Sequence, residues 1–171
     1  ELHHPVEYQN HIFDQLMEAG KEFGLKPYGI RAMNSLRVEK SYKLVGTELS
    51  IEYSPYESGL DRFVHPNKGD FIGRAALDKW RAKGFSNKLV TMEIHGVTDA
   101  DVLGNNPIYD NGSVVGRATS GDFGFRLNKS IALGMVKPEF AEVGQKLKID
   151  ILGKMHEASI VEESPYDSEN K

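Results

Sequence analysis

The sequence predicts an α+β protein in which a helical front part precedes an all-β back part. Three observations predict it. Apolar residues recur at helical spacing as far as Gly84. Alternation with period two sets in at Lys88. Two hairpin signals, Asp110-Asn-Gly112 and the turn Gly153-Lys154, then separate short apolar runs. The change of character places a boundary near residue 86, giving a front segment 1–86 and a back segment 87–171.

Val6, Ile12, Phe13, Leu16 and Met17 share one helical stripe, so a first helix is expected from about Val6 to Glu22. Pro5 suits its first turn, and Gly20 or Gly24 can stop it. Lys26-Pro-Tyr-Gly29 reads as a loop. A second helix is expected from about Ile30 to Lys40, with Ile30, Met33, Leu36 and Lys40 on one face. Gly46 and Pro55 break the pattern across 44–59, which predicts an ordered loop. Leu60 to Val64 reads as a short strand, and Asp70 as the N-cap of a third helix ending at Gly84.

The back segment offers strands at Lys88–His95, Pro107–Tyr109, Ser113–Val115, Ile131–Val136, Leu147–Ile151 and Met155–Val161. Short strands at this close spacing predict a small antiparallel barrel or sandwich. The polar end, Tyr166-Asp-Ser-Glu-Asn-Lys171, is expected to fray.

Bulk properties remove several function classes. The 171 residues suffice for a real core. A net charge of −4, with Lys and Arg interleaved among acids, gives no electrostatic reason to expect nucleic acid or an anionic membrane as partner. No apolar run approaches the ~20 residues that span a bilayer. The absence of cysteine rules out disulfides, a thiol nucleophile and Cys-ligated metal. Glu1-Leu-His-His-Pro5 has no features of a signal peptide, and the lack of an initiator Met suggests a piece of something longer.

Motifs for several chemistries are also lacking. The six histidines have no metal-ligand spacing. Ser120, in Thr119-Ser-Gly-Asp122, lacks a nucleophile elbow, and the segment reads as a turn after a strand. The glycines at 112, 116, 121 and 124 match no phosphate loop.

The acids Glu39, Glu52 and Glu57 are more informative. Glu39 falls near the C-terminal end of the second helix, where the helix dipole disfavours a carboxylate. Two accounts stay open on composition alone: an i,i+4 pair with Lys43, or a role as a ligand.

Five blocks then resemble those of a known family. Arg31-Ala-Met-Asn-Ser-Leu-Arg-Val-Glu-Lys40 resembles the R-x-x-[DN]-S-L-R-x-E segment of glycine-cleavage T proteins (aminomethyltransferases) and their relatives. Tyr53-Ser-Pro-Tyr-Glu-Ser-Gly-Leu60 is similar to the following T-P-x-E-x-G-L segment, and Asp70-Phe-Ile-Gly-Arg-Ala-Ala-Leu77 to the D-F-I-G helix start. Ala118-Thr-Ser-Gly121 and Lys129-Ser-Ile-Ala-Leu-Gly-Met-Val136 resemble blocks of the family's C-terminal barrel. Leu36–Tyr42, Gly46–Leu49 and the stretch from Val143 to Lys154 are more similar to the C-terminal region of dimethylglycine and sarcosine dehydrogenases.

The resemblance implies part of the folate-binding aminomethyltransferase fold, ending in a C-terminal β-barrel. It implies a parent in which an FAD module oxidises an N-methyl amine and a folate module passes the one-carbon unit to tetrahydrofolate. The family's catalytic aspartate and the flavin site lie in the N-terminal part, so no catalytic residue is assigned here and the chain alone is expected to lack turnover. Glu39 matches the family glutamate that binds folate; an ionised carboxylate can accept the side-by-side N3–H and 2-amino donors of a pterin. Tyr42 lines the same wall in this reading. Lys68 stands where the family has a cofactor-binding arginine, keeping the charge but losing the planar fork. Glu52, Glu57 and Ser120 are further lining candidates. The expected partners are folate, a small N-methyl amine and the remainder of the chain's own parent, in a bacterial cytoplasm or a mitochondrial matrix. A stand-alone aminomethyltransferase or folate-dependent demethylase, and a non-catalytic interaction barrel, are the alternative readings.

Overall fold

The computed structural model describes residues 1–97 and 99–171. The backbone falls into two compact units, Glu1–Met33 and Asn34–Lys171. In the first, a short 3₁₀ turn Val6–Tyr8 leads into helix α1, Gln9–Ala19. The helix stops at Gly20, where a side chain would overlap Leu25, and the chain reverses through Gly24 with φ of 66°. Leu2 lies outside any strand.

Helix α2 spans Ile30–Glu39. It ends in a Schellman turn: the Tyr42 amide donates to the Arg37 carbonyl at 2.9 Å and the Ser41 amide to Val38 at 2.9 Å. Ser41, not glycine, takes the left-handed position, with φ of 54°. Its hydroxyl holds the turn there by bonding Thr91 Oγ1 at 2.7 Å and accepting the Ser164 amide at 3.0 Å.

Two local expectations of the front part are corrected. Leu60–Val64 is no strand but contains a 3₁₀ turn, Asp61–Phe63. Helix α3 runs Arg74–Lys83, starting four residues after Asp70. Glycine at 73 adopts a φ of 95°, which breaks the helix before Arg74, and Asp70 instead accepts the next amide, Phe71, at 3.0 Å.

The β part is a closed six-stranded antiparallel barrel: β1 Lys88–Ile94, β2 Pro107–Asp110, β3 Ser113–Gly124, β4 Lys129–Val136, β5 Lys146–Ile151 and β6 Lys154–Val161, in the order β1-β4-β3-β2-β5-β6. Closure removes every sheet edge. Asn111 and Gly112, both at positive φ, make the β2–β3 turn, and Leu152 and Gly153 make the β5–β6 turn. Thr119-Ser-Gly121 is not a turn but the middle of β3, where a bulge between Ala118 and Ser120 bends the strand. Inward-facing Val90, Met92, Ile94, Ile108, Ala132, Leu147, Ile149 and Ile160 fill the barrel. On its outer wall, Ile131 and Leu133 of β4 pack against Val38 of α2.

The C-terminal tail is ordered against this wall rather than frayed. Ser164 Oγ donates to the Lys40 carbonyl at 2.7 Å, the Tyr166 amide donates to the Glu39 carbonyl at 3.1 Å, and Lys40 pairs with Asp167. Each bond satisfies a carbonyl or amine at the C-terminal end of α2, where orphan acceptors gather.

Candidate functional site

Helix α2 and the loop after it bury three carboxylates: Glu39 and Glu48 against β3 and the β3–β4 turn, and Glu57 at the entry to β1. Burying a charge is costly unless polar donors surround it. Each acid solves this differently.

Glu39 is 1% exposed. Its Oε1 accepts two backbone amides of the β3–β4 turn, Arg126 at 2.7 Å and Leu127 at 3.2 Å. These amides, not Lys43, answer the carboxylate at the helix end; Lys43 pairs with Glu163. Gly124 makes the approach feasible, because a Cβ there would stand 2.9 Å from Glu39 Cγ and 3.0 Å from Oε1. Among the described residues, the second oxygen, Oε2, has no hydrogen-bond partner.

Glu48 is fully buried. Ser120 Oγ donates to its Oε1, while Oε2 takes the Leu44 amide at 2.9 Å and Thr47 Oγ1 at 2.7 Å, with Arg37 Nη1 at 3.5 Å. Arg37 also donates through Nε to Asn34 Oδ1 at 2.9 Å, and Asn34 Nδ2 donates to Asp122 Oδ2 at 2.6 Å. A continuous polar chain therefore runs Ser120–Glu48–Arg37–Asn34–Asp122 and fixes α2 on β3. Glu57 closes a capping box: it accepts the Ser54 amide at 3.0 Å, while Ser54 Oγ accepts the Glu57 amide at 3.3 Å. Its other oxygen takes the Ser86 and Asn87 amides at 3.2 and 3.1 Å, pinning the entry to β1.

Burial alone would raise the Glu48 and Glu57 carboxyls. Hydrogen bonds outweigh it, from Ser120, Leu44 and Thr47 for Glu48 and from Ser54, Asn87 and Ser86 for Glu57, and both titrate below the ordinary 4.5. Near that pH the unfolded chain holds more protons than the folded one, so stability falls as the medium is acidified. The contribution of these two acids is complete above pH 4.5 and is lost as pH drops through their lower folded values. Urea midpoints measured from pH 7 downward should fall below that point, and Glu48→Gln with Glu57→Gln should flatten the profile.

The residues singled out by sequence are not all brought together. Tyr42 is 52% exposed; its hydroxyl lies 3.5 Å from Asn170 Oδ1 on the tail, and Lys40 Nζ lies 5.9 Å from its ring centroid. Lys68 is exposed in the loop before α3, with Nζ 4.8 Å from the Phe71 ring centroid. Among the described residues neither touches the Glu39 carboxylate. Glu52 is an exposed partner of Arg117, and Ser120 serves Glu48. Glu48, Arg37, Asn34 and Asp122 were not foreseen as a cluster. Asn34 and Arg37 stand at fixed positions of the R-x-x-[DN]-S-L-R-x-E segment and Glu48 lies in Gly46–Leu49, but the pairings to Ser120 and Asp122, across more than 70 residues, have no sequence signal.

The comparisons with known proteins agree with this architecture. A model described as "GCVT N-terminal domain" matches residues 1–68, and one described as "Glycine cleavage T-protein C-terminal barrel domain" matches 87–167. Mitochondrial dimethylglycine dehydrogenase of Homo sapiens is 40% identical over 164 residues, covering 95% of this chain and 19% of that protein. Aminomethyltransferase of Desulfitobacterium hafniense is 36% identical over 161 residues, covering 94% of this chain and 44% of that protein. The crystal structure of the glycine cleavage system aminomethyltransferase T from Bartonella henselae superposes with a TM-score of 0.83 at 23% identity, over 96% of this chain and 45% of that one. The chain thus spans about a fifth of the dehydrogenase and under half of the aminomethyltransferases. Among the described residues no helix is long and apolar enough to cross a membrane.

Proposed function

Because the chain belongs to the glycine-cleavage T-protein family, we propose that it is the C-terminal part of a flavin-linked N-methyl amine dehydrogenase of the dimethylglycine or sarcosine type. Its folate module hands a one-carbon unit to tetrahydrofolate. The residues fit that ligand in one respect that carries the reading: Glu39 is a buried carboxylate with one oxygen held by two amides and the other without a partner among the described residues. Oε2 has two lone pairs, enough for the N3–H and 2-amino donors on a pterin edge. Tetrahydrofolate supplies the nucleophilic nitrogens that take up the one-carbon unit. The turn amides of Arg126 and Leu127 keep the Glu39 carboxylate aimed, and Gly124 leaves it room. Tyr42 and Lys68 contribute to the outer part of the folate site in this reading.

The flavin and the catalytic aspartate belong to the portion of such proteins that this chain does not span, and the remainder of that protein is its partner. A boundary near residue 86 separates the folate-binding segment from the barrel. A bacterial cytoplasm or mitochondrial matrix suits the proposed reaction. The match to aminomethyltransferases over 94% of the chain favours a second reading, a stand-alone aminomethyltransferase.

One experiment separates them. The full-length gene product is purified and given dimethylglycine or sarcosine with tetrahydrofolate. A flavoprotein bleached by the amine, with methylenetetrahydrofolate as product, is the expected result. A colourless protein that instead releases methylenetetrahydrofolate from an aminomethylated carrier would support the second reading. A protein that does neither and binds no folate would overturn both.

A further inference from the structure

Independently of the folate reading, we propose that the mouth of the barrel binds a small organic ammonium ion carrying at least one N–H. The mouth lies where β1 ends at Ile94, β4 begins and β3 ends. The β1–β2 connection passes over it: Val97, Ala100 and Val102 pack onto the barrel core. Val102 is the plug, and Gly121 makes room for it, since a Cβ there would stand 2.6 Å from Val102 Cβ. Outside the plug a cavity of about 500 Å³ remains, lined by Val97, Ala100, Phe123 and Phe125, with Asp99, Asp101 and Ser130. That volume is in the range of small-molecule sites, and barrel mouths are a common place for them.

Ser130 points to a ligand. By strand alternation it faces the same way as the core residue Ala132, and it is 5% exposed. Among the described residues its hydroxyl has no hydrogen-bond partner. A buried hydroxyl left so is costly and calls for a polar atom from outside the chain. The rest of the lining selects the sign of that atom's charge. Asp99 and Asp101 line the cavity, and among the described residues the Asp99 carboxylate has no bonded partner. Carboxylates at a cavity repel an anion and attract a cation. Phe123 and Phe125 stand edge to face, with centroids 5.1 Å apart, and 77% of Phe125 is exposed, so a ring face is available for a cation–π contact. Aromatic walls, an open carboxylate and a hydroxyl acceptor together suit a protonated amine with an apolar body. To an anion they offer only the Ser130 hydroxyl as donor, against the repulsion of the two carboxylates.

The test titrates the ¹⁵N-labelled 171-residue chain with three probes. N,N-dimethylbenzylammonium carries the N–H, N,N,N-trimethylbenzylammonium lacks it, and phenylacetate reverses the charge. The dimethyl ion should shift the amides of Val97, Phe123, Phe125 and Ser130 saturably, and the trimethyl ion should bind roughly tenfold more weakly. Phenylacetate should not bind. Asp99→Asn and Phe125→Leu, both on exposed side chains, should each weaken the dimethyl ion roughly three- to fivefold. Ser130→Ala, nearly isosteric, should abolish the preference between the two ammonium ions. The proposal is overturned if phenylacetate binds as well as the ammonium ions. It is equally overturned if the shifts map elsewhere, or if no probe saturates, in which case Ser130 is served by water alone.

Discussion

Replacing Glu48 by alanine should lower the stability of the chain by about 3–5 kcal/mol, the scale for removing one partner of a buried ion pair. The side chain is fully buried and answers Ser120 Oγ, the Leu44 amide, Thr47 Oγ1 and Arg37 at once. Alanine takes an acceptor from all four; Arg37 keeps the Asn34 side chain and the Tyr42 carbonyl, and Thr47 keeps the Leu44 carbonyl. Ser120 loses most, because its hydroxyl is buried and, among the described residues, has no other acceptor. A loss of this size is a large share of the ~5–15 kcal/mol that holds a typical domain together. Urea denaturation should therefore show a lower midpoint with an unchanged slope. Glu48→Gln keeps the shape and one acceptor oxygen, so it should cost less. A variant Glu48→Ala as stable as the parent chain would mean that the polar chain from Ser120 to Asp122 does not fasten α2 to the barrel.

The second large effect belongs to Gly116→Ala, with an expected loss of about 3 kcal/mol or more from overpacking. Gly116 lies opposite Val136 where β3 meets β4. A Cβ there would overlap the Met135 carbonyl oxygen and stand 2.8 Å from Val136 Cα. These are backbone atoms of the partner strand, so no rotamer change can relieve the contact; the strands must part. Gly144→Ala is the comparison: nothing lies near that position, and only its φ of 90° opposes the change. Thermal melts of the two variants should differ, with Gly116→Ala the lower.

The barrel was legible because strand periodicity and turn chemistry are local. Val90, Met92 and Ile94 put apolar side chains into the barrel at every second position, as a wall strand must, and Asn111-Gly112 accepts the positive φ of a tight hairpin turn. The length of β3 was not legible. Twelve residues holding Gly116, Gly121, Gly124 and Thr119-Ser120 look like turn material, and only neighbours far along the chain explain them. Gly121 yields space to Val102, and Gly124 yields it to Glu39. The tail misled for the same reason: its polar residues bond the end of α2, more than 120 residues away. The candidate site was half legible. Glu39 stood out as an acid at the wrong end of a helix, whereas Glu48 gave no sign that it gathers its donors from four places in the chain.

Equilibrium titration of the full-length gene product with tetrahydrofolate, parent against Glu39→Gln, tests the central claim most directly. Glutamine keeps the size of the side chain. If its carbonyl oxygen stays on the Arg126 and Leu127 amides, its NH₂ faces the pterin donors in place of Oε2. Losing that charged acceptor should weaken binding by ~10- to 150-fold, or about 1.5–3 kcal/mol, with the urea midpoint little changed. An affinity equal to the parent's would contradict the account and remove Glu39 from the folate site.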